Sequence, residues 1–215
     1  MKKLVNLEAE IIKQAVSVLR RGKAVVFPTD TSYGLAVDAT NPKAVRKLYQ
    51  IKGRSFKKPI HIVVNSISEA RKFVEISNSA RKLAKKFLPG PLTLVLPLRE
   101  NLKNRTLWKL LTAGTGALGI RIPDHELALL LVRKLKKPIT ATSANVSGKK
   151  AAYSIEEIEA QFSHRKIQPD LVIDVGKLKP VRPSTIVDLT GQSVKILRQG
   201  PITLKEINQV LSFRT

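Results

Sequence analysis

Two short polar segments carry the residue types best suited to binding a charged ligand. Lys52 and Arg54 flank a glycine in the first, and residues 142–148 (TSANVSG) offer hydroxyls and an amide in the second. Alternate residues of an extended backbone project to the same side, so we expect Lys52 to act with Arg54 and Ser143 with Asn145. Guanidinium groups bind phosphate and carboxylate bidentately, and ammonium acts as a point charge. The two segments therefore predict a ligand rich in such oxygens.

Each segment also has a simpler interpretation. Lys52 and Arg54 are what is expected of solvated cations that favour the C-terminus of a helix. Ser143 and Asn145 are typical of a loop whose side chains hydrogen-bond to their own backbone. Arg121 interrupts an apolar strand between Ile120 and Ile122, where a charge needs a partner. If the alternation is strict, Arg121 faces away from the two isoleucines, either toward a ligand or into an ion pair on an exposed face.

The elements that position these residues alternate between helical and strand patterns. Asn41 followed by Pro42 predicts the start of a helix that ends at Gly53. Some neighbouring strands are joined too closely for a parallel crossover, which needs a dozen or more residues. We therefore predict an α+β (mixed α/β) fold, an open, twisted, mixed parallel and antiparallel sheet flanked by helices, as a single domain over residues 1–215. Predicted strands lie at residues 24–27, 35–37, 60–64, 92–96, 117–122, 139–141, 171–175, 185–189 and 194–197.

Composition narrows the possible functions. The chain of 215 residues carries 39 Lys and Arg against 16 Asp and Glu, a formal charge of +23. Such an excess favours anionic partners such as a nucleotide or RNA, although many of these lysines are equally explained as a solvated surface. The absence of cysteine excludes disulfides and thiolate metal sites. The three scattered histidines, His61, His125 and His164, are assigned to packing or the surface. No apolar run long enough to cross a membrane is present, which predicts a cytoplasmic protein.

At this point the sequence resembles a known family. Eight motifs follow one another along the chain: residues 28–35 (PTDTSYGL), 52–54 (KGR), 58–59 (KP), 89–93 (PGPLT), 119–123 (GIRIP), 143–145 (SAN), 183–188 (PSTIVD) and 197–200 (LRQG). In this order they resemble the motifs of the YrdC-like threonylcarbamoyl-AMP synthases, in the short, single-domain form. The resemblance implies the family's YrdC-like fold, with a deep, positively charged concave face.

The resemblance also implies a reaction. A nucleotidyltransferase of this family makes threonylcarbamoyl-AMP from L-threonine, bicarbonate or carbon dioxide, and ATP carried with Mg²⁺, and it releases pyrophosphate. The product serves N6-threonylcarbamoyladenosine modification of tRNA at adenosine 37, through a downstream tRNA threonylcarbamoyl transferase. The basic surface suggests a possible tRNA contact. Because phosphoryl and nucleotidyl transfer is catalysed largely by positioning and charge neutralisation, no Ser-His-Asp set and no protein metal site are expected.

Roles carry over residue by residue from the resemblance. The expected catalytic residues are Lys52, Arg54, Ser143 and Asn145. The expected ATP-binding residues are Arg54, Lys58, Ser143, Asn145 and Arg198. The expected threonine pocket contains Thr31, Arg121 and Ser184, with Thr29 and Tyr33 as walls and Arg121 on the carboxylate.

The chain also departs from the family's pattern. Ala117 and Ala151 stand where many relatives have hydroxyl residues near the nucleotide, Val63 stands where a histidine is common, and Ser32 replaces a usual valine. Two other functions compete with the synthase. One is a non-catalytic RNA-binding module on the same fold, which the charge favours. The other is a carbamoyl-transfer domain of the hydrogenase-maturation type, which the lack of cysteine argues against.

Overall fold

A computed structural model describes residues 2–212, with side chains described for residues 9–212. Eight helices are present in this part of the chain: Lys2–Arg20 (α1), Pro42–Lys52 (α2), Ile67–Ala70 (α3), Asn78–Phe87 (α4), Arg105–Leu111 (α5), Glu126–Leu135 (α6), Ile155–Phe162 (α7) and Leu204–Ser212 (α8). The strands are Val25–Pro28 (β1), Tyr33–Ala36 (β2), His61–Val63 (β3), Leu92–Pro97 (β4), Ala117–Arg121 (β5), Ile139–Ser143 (β6), Leu171–Val172 (β7), Thr185–Asp188 (β8) and Lys195–Arg198 (β9).

The strands form one sheet in the order β7-β1-β2-β6-β3-β5-β4-β8-β9. The pairs β1/β7, β3/β5 and β4/β8 are parallel, and the other neighbours are antiparallel. The predicted mixed sheet flanked by helices is therefore confirmed. The order shows why distant motifs meet: β6, β3, β5, β4 and β8 lie side by side although they come from across the chain.

Local chemistry explains where α2 begins and ends. Asn41 caps the helix, because its side chain accepts hydrogen bonds from the backbone N–H groups of Lys43 and Ala44. Gly53 ends the helix in the left-handed conformation, with φ of 59°. Both ends agree with the prediction from sequence. The left-handed residue turns the chain sharply, so the residues on either side of it point in different directions.

The two faces of the sheet are covered differently. One face carries side chains such as Ile62, Leu94, Ile120 and Val187, and it packs against apolar residues of α2, α4, α5, α7 and α8 in one large core. On the opposite face a second, smaller core contains Phe27, together with Val25, Ala36, Val63 and Ile139, under α1 and α6. The remainder of that opposite face is left open by these two helices. None of the described helices is long and apolar enough to span a membrane.

Candidate active site

A cavity of about 580 Å³ occupies the part of the sheet that α1 and α6 leave open. Its floor is made of alternate residues from β3, β4, β5, β6 and β8, the same strands whose other residues fill the large core. The volume lies in the range typical of sites for small ligands and cofactors. The cavity therefore follows from the alternation of side chains along each strand, with one face packed and one face open.

The register of the strands arranges the floor into rows across the sheet. In one row, Ile139, Val63, Arg121, Thr93 and Ile186 pair in turn from β6 to β8, and Ile186 pairs with Arg198 on β9. In the next row, Ala141, His61, Gly119, Val95 and Asp188 lie side by side. The first row carries two arginines at the cavity, and the second carries mostly small or apolar side chains.

Arg121 lies at the centre of the arginine row. As the strict alternation predicts, it faces the cavity, and Ile120 and Ile122 are buried in the core. Its Nη2 donates to Asp30 Oδ1 over 2.5 Å and to Thr31 Oγ1 over 2.8 Å. Burial lowers the pKa of Arg121, and the Asp30 carboxylate opposes that shift. Arg121 thus forms an ion pair, which was the alternative to ligand binding, but the pair lies within the cavity wall and not on an exposed face.

Two polar atoms of this pair are buried without a partner. Arg121 Nε and Asp30 Oδ2 have no hydrogen bond among the described residues. A buried unpaired polar group normally costs free energy. Because Nε is buried, a ligand can reach the guanidinium only at its terminal nitrogens, of which Nη1 makes no hydrogen bond within the described residues.

Ser184 and Arg198 form a second polar group at the cavity. Arg198 Nε donates to the Ser184 carbonyl over 2.9 Å, and Nη2 donates to Ser184 Oγ over 3.0 Å. Ser184 Oγ also lies 2.9 Å from Thr93 Oγ1. Burial, and then the charge of Arg121, lowers the pKa of Arg198. Two cations held near each other in this way favour an anion between them.

Arg54 enters the cavity from the segment after α2. Its Nη2 donates to the Pro59 carbonyl over 2.9 Å and its Nε to the Lys58 carbonyl over 3.3 Å. Burial lowers the pKa of Arg54 as well. Lys58 itself is exposed and its side chain does not line the cavity, so within the described structure its contribution here is its carbonyl group.

The position of Lys52 contradicts the expectation that it acts together with Arg54. It is the last residue of α2, and the left-handed Gly53 sends the chain away from it, so Lys52 points into the protein with 1% of its surface exposed. Its Nζ donates to the carbonyls of Ser143 and Asn145, over 2.5 and 2.8 Å, and to Asn145 Oδ1 over 3.1 Å. Burial, and secondarily the charge of Arg54, lowers the pKa of Lys52 to about 7.

Asn145 likewise lies beneath the cavity and does not line it. Its side-chain amide donates to the carbonyls of Val146 and Lys149, over 2.9 and 2.7 Å, and its Oδ1 accepts a hydrogen bond from Ser143 Oγ. Ser143 itself lines the cavity. Lys52 and Asn145 therefore hold the loop that presents Ser143. The simpler interpretation, in which a loop side chain hydrogen-bonds to its own backbone, is thus partly correct for Asn145.

Tyr33 is not the cavity wall that the sequence suggested. Its side chain is completely buried in the large core, and its hydroxyl donates to the Gly176 carbonyl over 2.7 Å and accepts from the Val175 N–H over 3.1 Å. Tyr33 lies on β2, and side chains alternate along a strand, so it takes the core face while the neighbouring Gly34 takes the cavity face.

The predicted residues divide into two sets. Those that line the cavity together are Thr29, Thr31, Arg54, Arg121, Ser143, Ser184 and Arg198. Those that do not line it are Tyr33, Lys52, Lys58 and Asn145. All four departures from the family's pattern, Ser32, Val63, Ala117 and Ala151, lie on the lining.

Sequence reasoning missed His61, which was assigned to packing or the surface. It lies on the cavity floor, where the charges of Arg198, Arg54 and Arg121 all act on it. The sequence could have indicated that His61 faces the cavity. His61 and Val63 are two residues apart on β3 and so share a face, and the resemblance had already placed Val63 in the pocket.

Comparison with known proteins identifies the family. Residues 17–200 match the family described as "Telomere recombination", which groups Sua5, YciO and YrdC proteins. The chain belongs to the Sua5/YciO/YrdC family.

The relatives extend this match to most of the chain. A protein of Methanocaldococcus jannaschii is 36% identical over 210 residues, which are 95% of each chain. The Pyrococcus abyssi protein named threonylcarbamoyl-AMP synthase is 37% identical over 207 residues, which are 96% of this chain and 58% of the longer relative. The structure of P. abyssi Sua5 complexed with L-threonine superposes with a TM-score of 0.85 at 37% identity, covering 94% of this chain and 57% of that chain. The superposition shows that this relative shares the fold of the chain.

Proposed function

We propose that this chain is a threonylcarbamoyl-AMP synthase. In the reaction, the neutral amine of L-threonine attacks the carbon of carbon dioxide, and the nitrogen loses a proton to solvent to give a carbamate. A carbamate oxygen then attacks the α-phosphorus of ATP, a new P–O bond forms, and the bond to the pyrophosphate leaving group breaks. The observation that carries the proposal is the gathering of three arginines and several hydroxyls from distant segments around one cavity of about 580 Å³.

The reaction brings two anionic molecules together, and the cavity offers matching cations. A fork of guanidinium donors suits both the carboxylate of an amino acid and the oxygens of a phosphate. We assign the threonine carboxylate to Arg121, with Thr31 and Ser184 beside it and Thr29 behind Thr31. We assign the nucleotide to Arg54, Ser143 and Arg198, with Lys58 at the margin. In this assignment Lys52 and Asn145 act indirectly by holding the Ser143 loop.

Catalysis then rests on placement and charge. Fixed donors aimed at developing negative charge are worth more inside a cavity than in water, because water is partly excluded. Mg²⁺ would enter as part of the ATP substrate, on the phosphate oxygens. In the part of the chain that the structure describes, no cluster of three acidic or histidine side chains could hold a metal ion. Mg²⁺ carried on the phosphate oxygens of a nucleotide keeps several water ligands, so the proposal does not require a dedicated protein site for the ion.

Pyrophosphate release tests the proposal. The purified protein is incubated with ATP and bicarbonate, with and without L-threonine and with and without Mg²⁺, and pyrophosphate and the adenylate product are measured. We expect pyrophosphate to form only when threonine and Mg²⁺ are both present. Release that does not depend on threonine would reject the synthase. Tight tRNA binding without any turnover would favour the RNA-binding module, and addition of a tRNA threonylcarbamoyl transferase with tRNA tests the proposed downstream partner.

A further inference from the structure

His61 lies at the centre of the cavity floor, in a space that the neighbouring strands shape. It lies on β3 between Ala141 of β6 and Gly119 of β5 in the row of small side chains. Its ring lies across Gly119: a Cβ added at Gly119 would lie 3.0 Å from His61 Nε2 and closer still to Cγ and Cδ2. The room for the imidazole at this place therefore depends on a glycine in the neighbouring strand.

The surroundings keep this imidazole neutral. Burial lowers the pKa of His61 to about 4, and the charges of Arg198, Arg54 and Arg121 add to the shift. Asp188 is the acidic residue in the same row, two strands beyond Gly119. A neutral imidazole offers one N–H donor and one nitrogen acceptor, whereas the three arginines offer only donors.

Other polar groups around Arg121 are already engaged. Thr31 Oγ1 accepts from Arg121 and lies 3.3 Å from Thr29 Oγ1, and Ser184 Oγ bonds with both Arg198 and Thr93. By contrast, the pKa of His61 is shifted only by burial and by nearby charges. Neither of its ring nitrogens has a hydrogen-bond partner among the described residues. An acceptor facing the cavity is thus left for a ligand.

The chemistry of an amino acid supplies the missing donor. When its carboxylate is bound at Arg121, its amine is one carbon away and requires an acceptor in surroundings dominated by cations. Cationic neighbours also disfavour the ammonium form, so the amine is held in the neutral form that attacks carbon dioxide. We propose that His61 contacts the substrate and accepts a hydrogen bond from the amine nitrogen of threonine, between the carboxylate site at Arg121 and the nucleotide site at Arg54. This inference rests on the proposed function and adds a residue to it.

Ligand binding by paired variants tests this role. The dissociation constants of L-threonine and of (R)-3-hydroxybutanoate, which lacks the amine, are measured by calorimetry for the wild type, His61→Leu and His61→Gln. We expect His61→Leu to weaken threonine binding about tenfold or more, as a hydrogen bond lost at a ligand's polar group does. The binding of 3-hydroxybutanoate should change less than twofold, and His61→Gln, which keeps polar atoms, should recover part of the loss for threonine.

Controls separate the possible outcomes. His164→Gln changes an exposed histidine that is not on the cavity lining and should bind both ligands like the wild type. Thermal melting shows whether the His61 variants are folded. Equal weakening of both ligands by His61→Leu would mean that the ring acts by shape, and no weakening would mean no contact; either result overturns the inference. A wild type that neither binds threonine nor releases threonine-dependent pyrophosphate would instead refute the proposed function, and the inference with it.

Discussion

Two polar clusters, each assembled from distant parts of the chain, differ in what their donors and acceptors contact. We call the first the buried cluster; it consists of Lys52, Asn145 and the Ser143 backbone. There the ammonium group has three oxygen acceptors within 3.1 Å. We call the second the floor cluster; it consists of Arg121, His61 and Arg198. There Arg121 Nη1 and the His61 ring make no hydrogen bond among the described residues, and both side chains line the cavity.

The difference distinguishes residues that support the site from residues that bind a ligand. Polar groups that bond fully with one another stabilise a loop and leave nothing for a ligand. Polar groups that remain unbonded or repel each other carry a cost in free energy that an anionic ligand can relieve. By this criterion the buried cluster is structural and the floor cluster is the binding surface. The predictions below test each side of that division.

The largest effect is expected for Lys52→Met in the buried cluster. The substitution keeps much of the side-chain length but removes three hydrogen bonds, and it leaves the Asn145 carbonyl without a donor. At about 1 kcal/mol for each hydrogen bond lost, the free energy of unfolding should fall by about 3 kcal/mol. Urea unfolding at neutral pH measures this loss. Lys57→Met, at an exposed position nearby, is the matched control and should be neutral. Unchanged stability with a raised KM for ATP would instead place Lys52 on the nucleotide.

A smaller and more selective effect is expected for Arg121→Lys in the floor cluster. Lysine keeps a positive charge near Asp30 but cannot form the guanidinium fork, so the KM for threonine should rise about thirtyfold. The KM for ATP should stay within twofold. Steady-state pyrophosphate release at varied threonine and ATP measures both. Arg46→Lys on the exposed side of α2 should change neither. Equal losses for both substrates would contradict the division of roles between Arg121 and Arg54.

The sequence could predict the position of a residue in these clusters only where neighbouring residues in the chain determine that position. The Asn41 cap, the end of α2 at Gly53 and the outward direction of Arg121 follow from local rules, and the structure agrees with them. The split between Lys52 and Arg54 was missed because an extended backbone was assumed where Gly53 is left-handed. Tyr33 and His61 were misplaced for a different reason: the alternation along β2 and β3 assigns each side chain to a face, but which strands become neighbours decides what that face contacts. The glycine that makes room for His61 lies on β5, and no local pattern pairs β5 with β3.

The smallest effect at neutral pH concerns the pH dependence of stability, and it tests the surroundings of His61 in the floor cluster without any ligand. The pKa of His61 is lowered to about 4, below the value of about 6.5 expected in the unfolded chain. Between these two values the unfolded state binds more protons, so this contribution to stability is complete above pH 6.5 and is lost as the pH falls toward 4. The unfolding free energy of the wild type should therefore fall more steeply than that of His61→Gln, by up to about 1.4 kcal/mol per pH unit. Denaturation at several pH values measures this difference, and His164→Gln should follow the wild type. Parallel curves for the wild type and His61→Gln would mean that neither burial nor the three arginines lower the pKa of the imidazole.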